Sequence, residues 1–345
     1  MGNLQFGLVV IGALVLLALV VHSAWAARAN APRQPEPVGA EPESEAAAQE
    51  PSLDDEGFDA MRLSHPMARR PAIDALIDAI AAVNLDPLAT AVSGEAAMAA
   101  FPTTRRAGTK LFSIEGFNVD TQEWESPAAG ARYHVFQTGV QLANRSGPLN
   151  EIEYSEFVVK TQTFADALGA TPEFPEMRDE VARARELDNF ASAHDAQLGL
   201  NLRVRQAAWS PGYVAQMAAQ QGFVAGQLPG RMVMPGAADG LPPLLSLTFD
   251  SQAVLAEDPD KTAIYELVLH LDVPQVERAD QPFDRMCQAA QAMAQSMDGV
   301  VTDDNGQALS PQALLSISQE LHRLYDMLEQ RDFAAGSALA RRLFS

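Results

Sequence analysis

An uncharged apolar stretch near the N-terminus constrains this chain more than any other feature. Residues 6–27, from Phe6 to Ala27, contain no Asp, Glu, Lys or Arg. A helix rises about 1.5 Å per residue, so this stretch is long enough to cross a hydrocarbon core of roughly 30 Å. A helix also satisfies its own backbone hydrogen bonds in lipid. The stretch therefore predicts a single transmembrane helix.

The distribution of positive charge orients this helix. No Lys or Arg precedes it, whereas Arg28 and Arg33 follow it closely. Positive charges collect on the cytoplasmic side, so residues 1–5 are predicted to be periplasmic and the C-terminus cytoplasmic. The alternative is a signal peptide cleaved at the small-x-small sequence 24–26, which would make the chain an exported periplasmic envelope protein or enzyme. The uncharged start and the long apolar core favour the uncleaved anchor.

The segment after the anchor, residues 28–70, is predicted to be a disordered linker. Its first half is dominated by Pro, Glu and Ala and carries almost no β-branched or aromatic side chains. Such a sequence buries too little apolar area to offset the conformational entropy lost on folding. We expect it to act as a tether between the membrane and the rest of the chain.

The sequence lacks the motifs that would indicate an enzyme or a metal site. G-x-S-x-G, P-loop, H-E-x-x-H and G-x-G-x-x-G patterns are absent, and the net charge of -21 argues against nucleic acid. The single cysteine, Cys287, lies on the apolar stripe of a predicted helix and is interpreted as a packed side chain. Residues 303–306 lack calcium-ligand spacing, and residues 300–309 are interpreted as a hairpin with a type I′ turn at Asn305-Gly306. We therefore predict a binding protein without cofactor, metal or small-molecule substrate.

Two ordered regions, residues 71–195 and 196–330, are predicted between the linker and a C-terminal tail at residues 331–345. Alternating apolar residues predict strands, and apolar stripes at helical spacing predict amphipathic helices. Residues 80–85 fit either a helix or a strand. In both regions a long strand precedes a helix whose apolar stripe has the same spacing. We therefore hypothesise that residues 71–195 are a degenerate copy of the following region. The alternative is that two amphipathic helices share this spacing by chance.

The second ordered region resembles the C-terminal domain of the ZipA family of cell-division proteins. The resemblance rests on the sequences QQGF at 220–223, LLSL at 244–247, LDVP at 271–274, GVVTDD at 299–304 and LSPQ at 309–312. The uncharged N-terminus, the apolar stretch and the Pro/Glu linker are also similar to that family. The linker is short for the family, and residues 71–195 look folded where a disordered linker is usual.

The resemblance implies a fold and a partner. The fold would be α+β, an antiparallel β-sheet with helices packed on one face. The open face of the sheet would bind the C-terminal peptide of FtsZ, the tubulin-like division protein. The function implied is to tether the Z-ring to the cell inner membrane at the division septum, through a single-pass anchor.

The alternation of side chains predicts which residues form the open face. In residues 264–273, the predicted core set is Tyr265, Leu267, Leu269, Leu271 and Val273. The residues between them are predicted to face water: Ile264, Glu266, Val268, His270 and Asp272. The same parity exposes further residues on neighbouring strands, namely Asn201, Arg203, Leu244, Ser246 and Thr248.

The family's motifs then suggest which exposed residues contact the FtsZ peptide. The predicted contacts are Leu228, Thr248, Val268 and His270, with Met232 and Met234 at the rim and Arg203 on the same face. His270 departs from the family, where a Phe is usual, and this makes the expected cleft less apolar. A hydrophobic helix or an extended segment of FtsZ is the predicted occupant.

Overall fold

The structure is a computed structural model that describes residues 33–34, 73–86, 90–238 and 240–345. The predicted transmembrane residues 6–27 and most of the predicted linker lie outside these ranges. The described residues form two units. The central unit comprises residues 73–195 and 338–345, and the C-terminal unit comprises residues 33–34 and 196–337. Throughout the described ranges, every helix is too short or too polar to cross a membrane.

The central unit is built around a strand that the sequence left ambiguous. Residues 80–85 lie in strand β1 (Asp78–Leu85), not in a helix. The elements that follow are β2 (Val92–Ser93), α1 (Gly94–Ala99), β3 (Arg106–Ala107), β4 (Lys110–Asn118), β5 (Trp124–Glu125), β6 (Arg132–Gln141), β7 (Ala143–Asn144), β8 (Gly147–Pro148), α2 (Glu151–Leu168), β9 (Ala170–Glu173) and α3 (Met177–His194).

One face of the central sheet is covered by helix α2. The strand order is β3-β4-β6-β1-β9, with antiparallel pairing. The covered face buries small and aromatic side chains against Phe157 and Phe164 of the helix. Helix α2 begins at Asn150, whose side chain accepts hydrogen bonds from two backbone amides in a capping box with Glu153. It ends at Gly169, which adopts a left-handed conformation that glycine tolerates without strain.

The C-terminal unit has a similar succession of strands and helices. Its elements are β10 (Gln197–Val204), α4 (Pro211–Gln220), β11 (Val224–Ala225), β12 (Arg231–Met234), β13 (Leu245–Phe249), α5 (Ser251–Val254), β14 (Glu266–Asp272), α6 (Pro282–Met297), β15 (Gly299–Thr302) and α7 (Pro311–Gln330), with 3-10 turns at Pro259–Lys261, Val273–Gln275 and Arg278–Asp280. Helices α4 and α7 each begin with a serine cap followed by proline, two residue types that favour the start of a helix.

The two sheets share a strand order. The C-terminal sheet runs β11-β12-β13-β14-β10-β15, so its last four strands have the sequence order of β4-β6-β1-β9 in the central sheet. The predicted fold class, α+β with antiparallel sheets, is confirmed. The hypothesis that the central unit is a degenerate copy of the C-terminal unit stays a prediction. The shared order of four strands is consistent with it.

The predicted alternation in residues 264–273 is wrong at its beginning. Ile264 is 2% exposed and Tyr265 is 64% exposed, the reverse of the prediction. Ile264 exchanges backbone hydrogen bonds with Trp209, at 2.8 and 2.9 Å, in an isolated bridge before the strand. Strand β14 starts only at Glu266, and from there the predicted parity holds through the buried Leu267, Leu269 and Leu271.

Two further residues predicted to be exposed are buried. Leu244 precedes strand β13, and its backbone N–H donates to the carbonyl of Met234, outside the regular alternation. Asn201 does lie on the open side of its strand, but its side-chain amide donates to Asp304 at 3.0 Å from beneath the 303–306 turn. Asn201 is therefore covered by the turn that contains Asp304.

The predicted hairpin at residues 300–309 forms with a different turn. Thr302 bridges Ala308, and the backbone of Asp303 pairs with Gln307. Gly306 has a positive φ of 78°, but Asn305 does not, so the turn is not type I′. The Asp303 carboxylate instead accepts hydrogen bonds from the backbone amides of Asn305 and Gln307 and holds the longer loop.

Arg33 lies inside the predicted linker but is part of the C-terminal unit. Its backbone N–H donates to Ala208 at 2.7 Å, and its carbonyl accepts from Ser210 at 2.9 Å. Its guanidinium forms an ion pair with Asp298 at 3.1 Å. This short bridge attaches the chain to the unit just beyond the predicted anchor.

The predicted C-terminal tail divides between the two units. Helix α8 (Ala338–Leu343) and the two residues after it belong to the central unit. Arg342 donates two hydrogen bonds to Asp78 of β1, at 2.6 and 3.0 Å, and Asp78 is almost completely buried. The end of the chain is therefore part of the central core.

Candidate peptide-binding face

The uncovered side of the C-terminal sheet brings three predicted site residues together. Strand register places Thr248 opposite Val268, while His270 lies opposite both Ser246 and Gly199. Directly paired residues of antiparallel strands point to the same side of the sheet. Thr248, Val268 and His270 therefore share one surface, which we call the open face.

The other side of the same strands is covered by helix α6. Leu200, Leu247 and Leu269 form one cross-strand row there, and all three are buried. Met286 and Met293 of α6 are also fully buried, and α6 contacts β10, β14 and β15. The core of this unit therefore lies on the α6 side of the sheet. Val268, on the open face, is not part of that core.

An apolar groove lies at one end of the open face. It has a volume of about 520 Å³ and is lined chiefly by the β11–β12 hairpin and the loop after β12. Leu228, which is 61% exposed, and Val233 supply apolar surface, and Arg231 supplies a positive charge. Arg231 also pairs with Thr248 across the strands, so the groove adjoins the row that contains Val268.

The middle of the open face has a gap beside Val268. A Cβ atom added at Gly199 would meet only the Val268 side chain, at 3.6 Å. The absent side chain leaves Val268 accessible from the direction of strand β10. A partner side chain could occupy this depression without displacing protein atoms.

Partial burial and a nearby charge favour the neutral form of His270. Its Nε2 forms a 2.8 Å hydrogen bond with the Thr248 hydroxyl. Partial burial, and then the nearby charge of Arg231, lower the pKa of His270 below its ordinary value of 6.5. The lowered pKa favours the uncharged imidazole, which presents a ring to the open face where a charge would oppose an apolar ligand.

Arg203 lies on the open face but at its far end. Its guanidinium forms an ion pair with Glu266 at 3.1 Å, and both side chains are partly exposed. In the register of the sheet, this pair forms the next row beyond Thr248 and Val268. Arg203 therefore borders the open face as one half of an ion pair.

The predicted positions of Met232 and Met234 are wrong. Met232 pairs with Leu247 and Met234 pairs with Leu245, so both methionines point to the helix-covered side. Met232 is only 7% exposed. The alternation within β12 instead places Arg231 and Val233 on the open face. The sequence contained this alternation, but the parity of a four-residue strand becomes fixed only through its pairing with β13.

Two observations on the described residues concern metal binding and the single cysteine. No group of three or more His, Cys, Asp or Glu side chains there could hold a metal ion. Burial raises the pKa of the Cys287 thiol to about 11, so the reactive thiolate is scarce at neutral pH. Cys287 is half-buried on helix α6, in keeping with a packing role.

Comparison with known families identifies the segment that contains the middle of this face. Residues 252–320 match the family model of the ZipA C-terminal FtsZ-binding domain, which confirms the resemblance predicted from the sequence. The matched segment includes β14, α6 and β15, and therefore Val268 and His270. Leu228 and Thr248 lie before it. No curated protein matches the chain.

Proposed function

We propose that this chain, which carries the ZipA C-terminal FtsZ-binding domain in residues 252–320, is a cell-division protein that binds the C-terminal peptide of FtsZ. The observation that carries the proposal is the position of Val268 and His270. Both lie in the matched segment and on the side of the sheet that faces away from helix α6. The matched family is a binding domain, in agreement with a non-enzymatic role.

The open face suits a short apolar segment with some polar contacts. Apolar side chains of the peptide would enter the groove at Leu228 and the depression beside Val268. The Thr248–His270 pair and Arg231 would orient the peptide and offer hydrogen bonds to its backbone or an acidic group. Central apolar contacts in such interfaces typically contribute about 1–3 kcal/mol each.

We propose that residues 6–27 anchor the protein in the inner membrane and that the chain thereby tethers FtsZ filaments there. The support is the uncharged apolar sequence with arginines on its C-terminal side. The bridge at Arg33 adds a geometric consequence. Residues 28–33 span at most roughly 20 Å when fully extended, so the C-terminal unit would be held close to the membrane surface.

Replacing Leu228 with aspartate tests the peptide site. Leu228→Asp is expected to lower affinity for a synthetic FtsZ C-terminal peptide about tenfold, because a carboxylate in the groove must lose water when an apolar side chain covers it. Leu255→Asp is the matched control, since Leu255 is 64% exposed but lies off the groove. Calorimetric titration of the full chain measures both. Equal affinity in the two variants would contradict the assignment of the site.

A reporter fusion tests the membrane topology. A fluorescent protein that folds in the cytoplasm, fused after Ser345, is expected to be active and to sediment with membranes. A control that lacks residues 1–27 should lose the membrane association while keeping the fluorescence. Active alkaline phosphatase at the same position would show that the C-terminus is exported, as a cleaved signal peptide would require.

A further inference from the structure

The central unit has a face that corresponds to the open face. Strand register aligns the two sheets row by row. The row Thr248–Val268–Asn201–Thr302 corresponds to Glu115–Gln137–Ala82–Glu173. The neighbouring row Ser246–His270–Gly199 corresponds to Ser113–Gly139–Ile80. Each pair of rows lies on the side of its sheet opposite the main helix.

In the central unit, the chain itself lies on this corresponding face. The side chain of Ile73 is buried over Gly139, where an added Cβ would come within 3.0 to 3.3 Å of three Ile73 atoms. The backbone N–H of Ile73 donates to Glu115 at 3.1 Å, and Gln137 donates to the other oxygen of the same carboxylate at 2.8 Å. Ile73 thus covers the position that corresponds to the exposed His270.

A turn at residues 74–77 connects Ile73 to strand β1. The carbonyl of Asp74 accepts from the amides of Ile77 and Asp78, and the Asp74 carboxylate accepts from Leu76. The segment before β1 is therefore held over the face by hydrogen bonds at both ends. In the described part of the chain, strand β10 is preceded directly by helix α3, which ends at His194, just ahead of Gln197.

We propose that the segment at Ile73 is a built-in ligand of the central unit, in the place that the FtsZ peptide takes on the C-terminal unit. The chain then offers FtsZ one site and not two. This inference rests on the proposed function for the location of the FtsZ site. A covalently attached segment competes at a high effective concentration, and the buried Glu115 carboxylate would oppose an apolar replacement.

Titration of the full chain with FtsZ C-terminal peptide tests the number of sites. One peptide is expected per chain, and Val268→Asp is expected to weaken that single site at least about tenfold. Two peptides per chain would overturn the inference. It would also fail if Val268→Asp kept a residual site that Gln137→Asp, on the central face, abolished.

Amide hydrogen exchange tests the occupancy of the face directly and does not depend on FtsZ. The Ile73 amide is expected to exchange at least about tenfold more slowly than in an unstructured peptide. Gly139→Val should crowd Ile73 off the face and restore fast exchange there, with β1 and β6 still protected. Asn84→Val is the control, an exposed position at the other end of β1 on the same face.

The two measurements separate the possible failures. A wild-type Ile73 amide that exchanges at the unstructured rate would overturn the inference, whatever the titration shows. If the chain bound no peptide at all, the proposed function would fall, and the exchange rate would still decide whether Ile73 occupies the face.

Discussion

Replacing Val268 with aspartate is expected to lower the affinity for the FtsZ peptide at least about tenfold and to leave the melting temperature nearly unchanged. Val268 lies in the middle of the open face, between Thr248 and Asn201, and outside the helix-covered core. A carboxylate there would lose its hydration under an apolar ligand, at a cost above the roughly 1.4 kcal/mol that corresponds to one decade of affinity. Calorimetric titration and thermal melting measure the two quantities.

The adjacent residue provides the control. Leu269 is fully buried and pairs with Leu200 and Leu247 beneath helix α6. Leu269→Asp places an unpaired charge in this core and should unfold the C-terminal unit, because the penalty exceeds the margin of a typical domain. The face assignment is wrong if Val268→Asp binds like the parent or melts as early as Leu269→Asp.

Replacing Arg342 with alanine is expected to destabilise the central unit by about 3–5 kcal/mol. Arg342 supplies two hydrogen bonds to the buried carboxylate of Asp78, which also accepts from the amide of Asp74. Without the guanidinium, the carboxylate stays buried with its charge uncompensated. Urea titration, followed by amide exchange of β1 and β6, measures the stability of this unit separately from the C-terminal unit.

Arg132→Ala is the matched control in the same unit. Arg132 forms an ion pair with Asp120 at 3.4 Å, but both side chains are largely exposed, and such pairs contribute less than about 1 kcal/mol. Equal losses in the two variants would contradict the role assigned to the buried pair. So would a truncation after Ser337 that left the central unit as stable as the parent, since it removes the whole of α8.

The pH dependence of the Arg342 variant provides a further check on its mechanism. Burial raises the pKa of Asp78 above its ordinary value of 3.8, so the folded chain binds this proton more tightly than the unfolded chain. Arg342 lowers this pKa through its hydrogen bonds and charge, so its removal raises the pKa of Asp78 further. The added penalty is absent below the ordinary value and develops as the pH rises through the raised pKa. The deficit of Arg342→Ala should shrink in acid.

The local elements of this fold were largely predictable from sequence because their signals repeat within a few residues. Strand β4 forms where apolar side chains alternate, and the apolar stripe of α6 contains buried residues such as Phe283, Met286 and Met293. A period of 2 or 3.6 residues is carried by the side chains themselves. The register of a strand and the choice of its partner depend on residues far away in the chain. Predictions that depended on register, such as the side of Met232, were therefore less complete.

The candidate site illustrates this division. The alternation within β13 and β14 was sufficient to place Thr248, Val268 and His270 on one side. It was not sufficient for Met232, whose side depends on which residue of β13 it opposes after the 235–244 loop. The groove at Leu228 and Arg231 likewise exists only because a loop folds beside the β11–β12 hairpin. The role of these residues in FtsZ binding stays a prediction.

The sequence by itself determined the α+β class, the amphipathic elements and the resemblance to ZipA, because these depend on residue type and short spacing. Tertiary structure alone decided that Ile73 covers Gly139, that Arg33 pairs with Trp209, and that Arg342 neutralises Asp78. Each of these contacts joins residues far apart in sequence, where no local period constrains the pairing. They form because a buried polar group needs a hydrogen-bonding partner and because covering apolar surface lowers the free energy of the folded state. Only the folded chain brings the partners together.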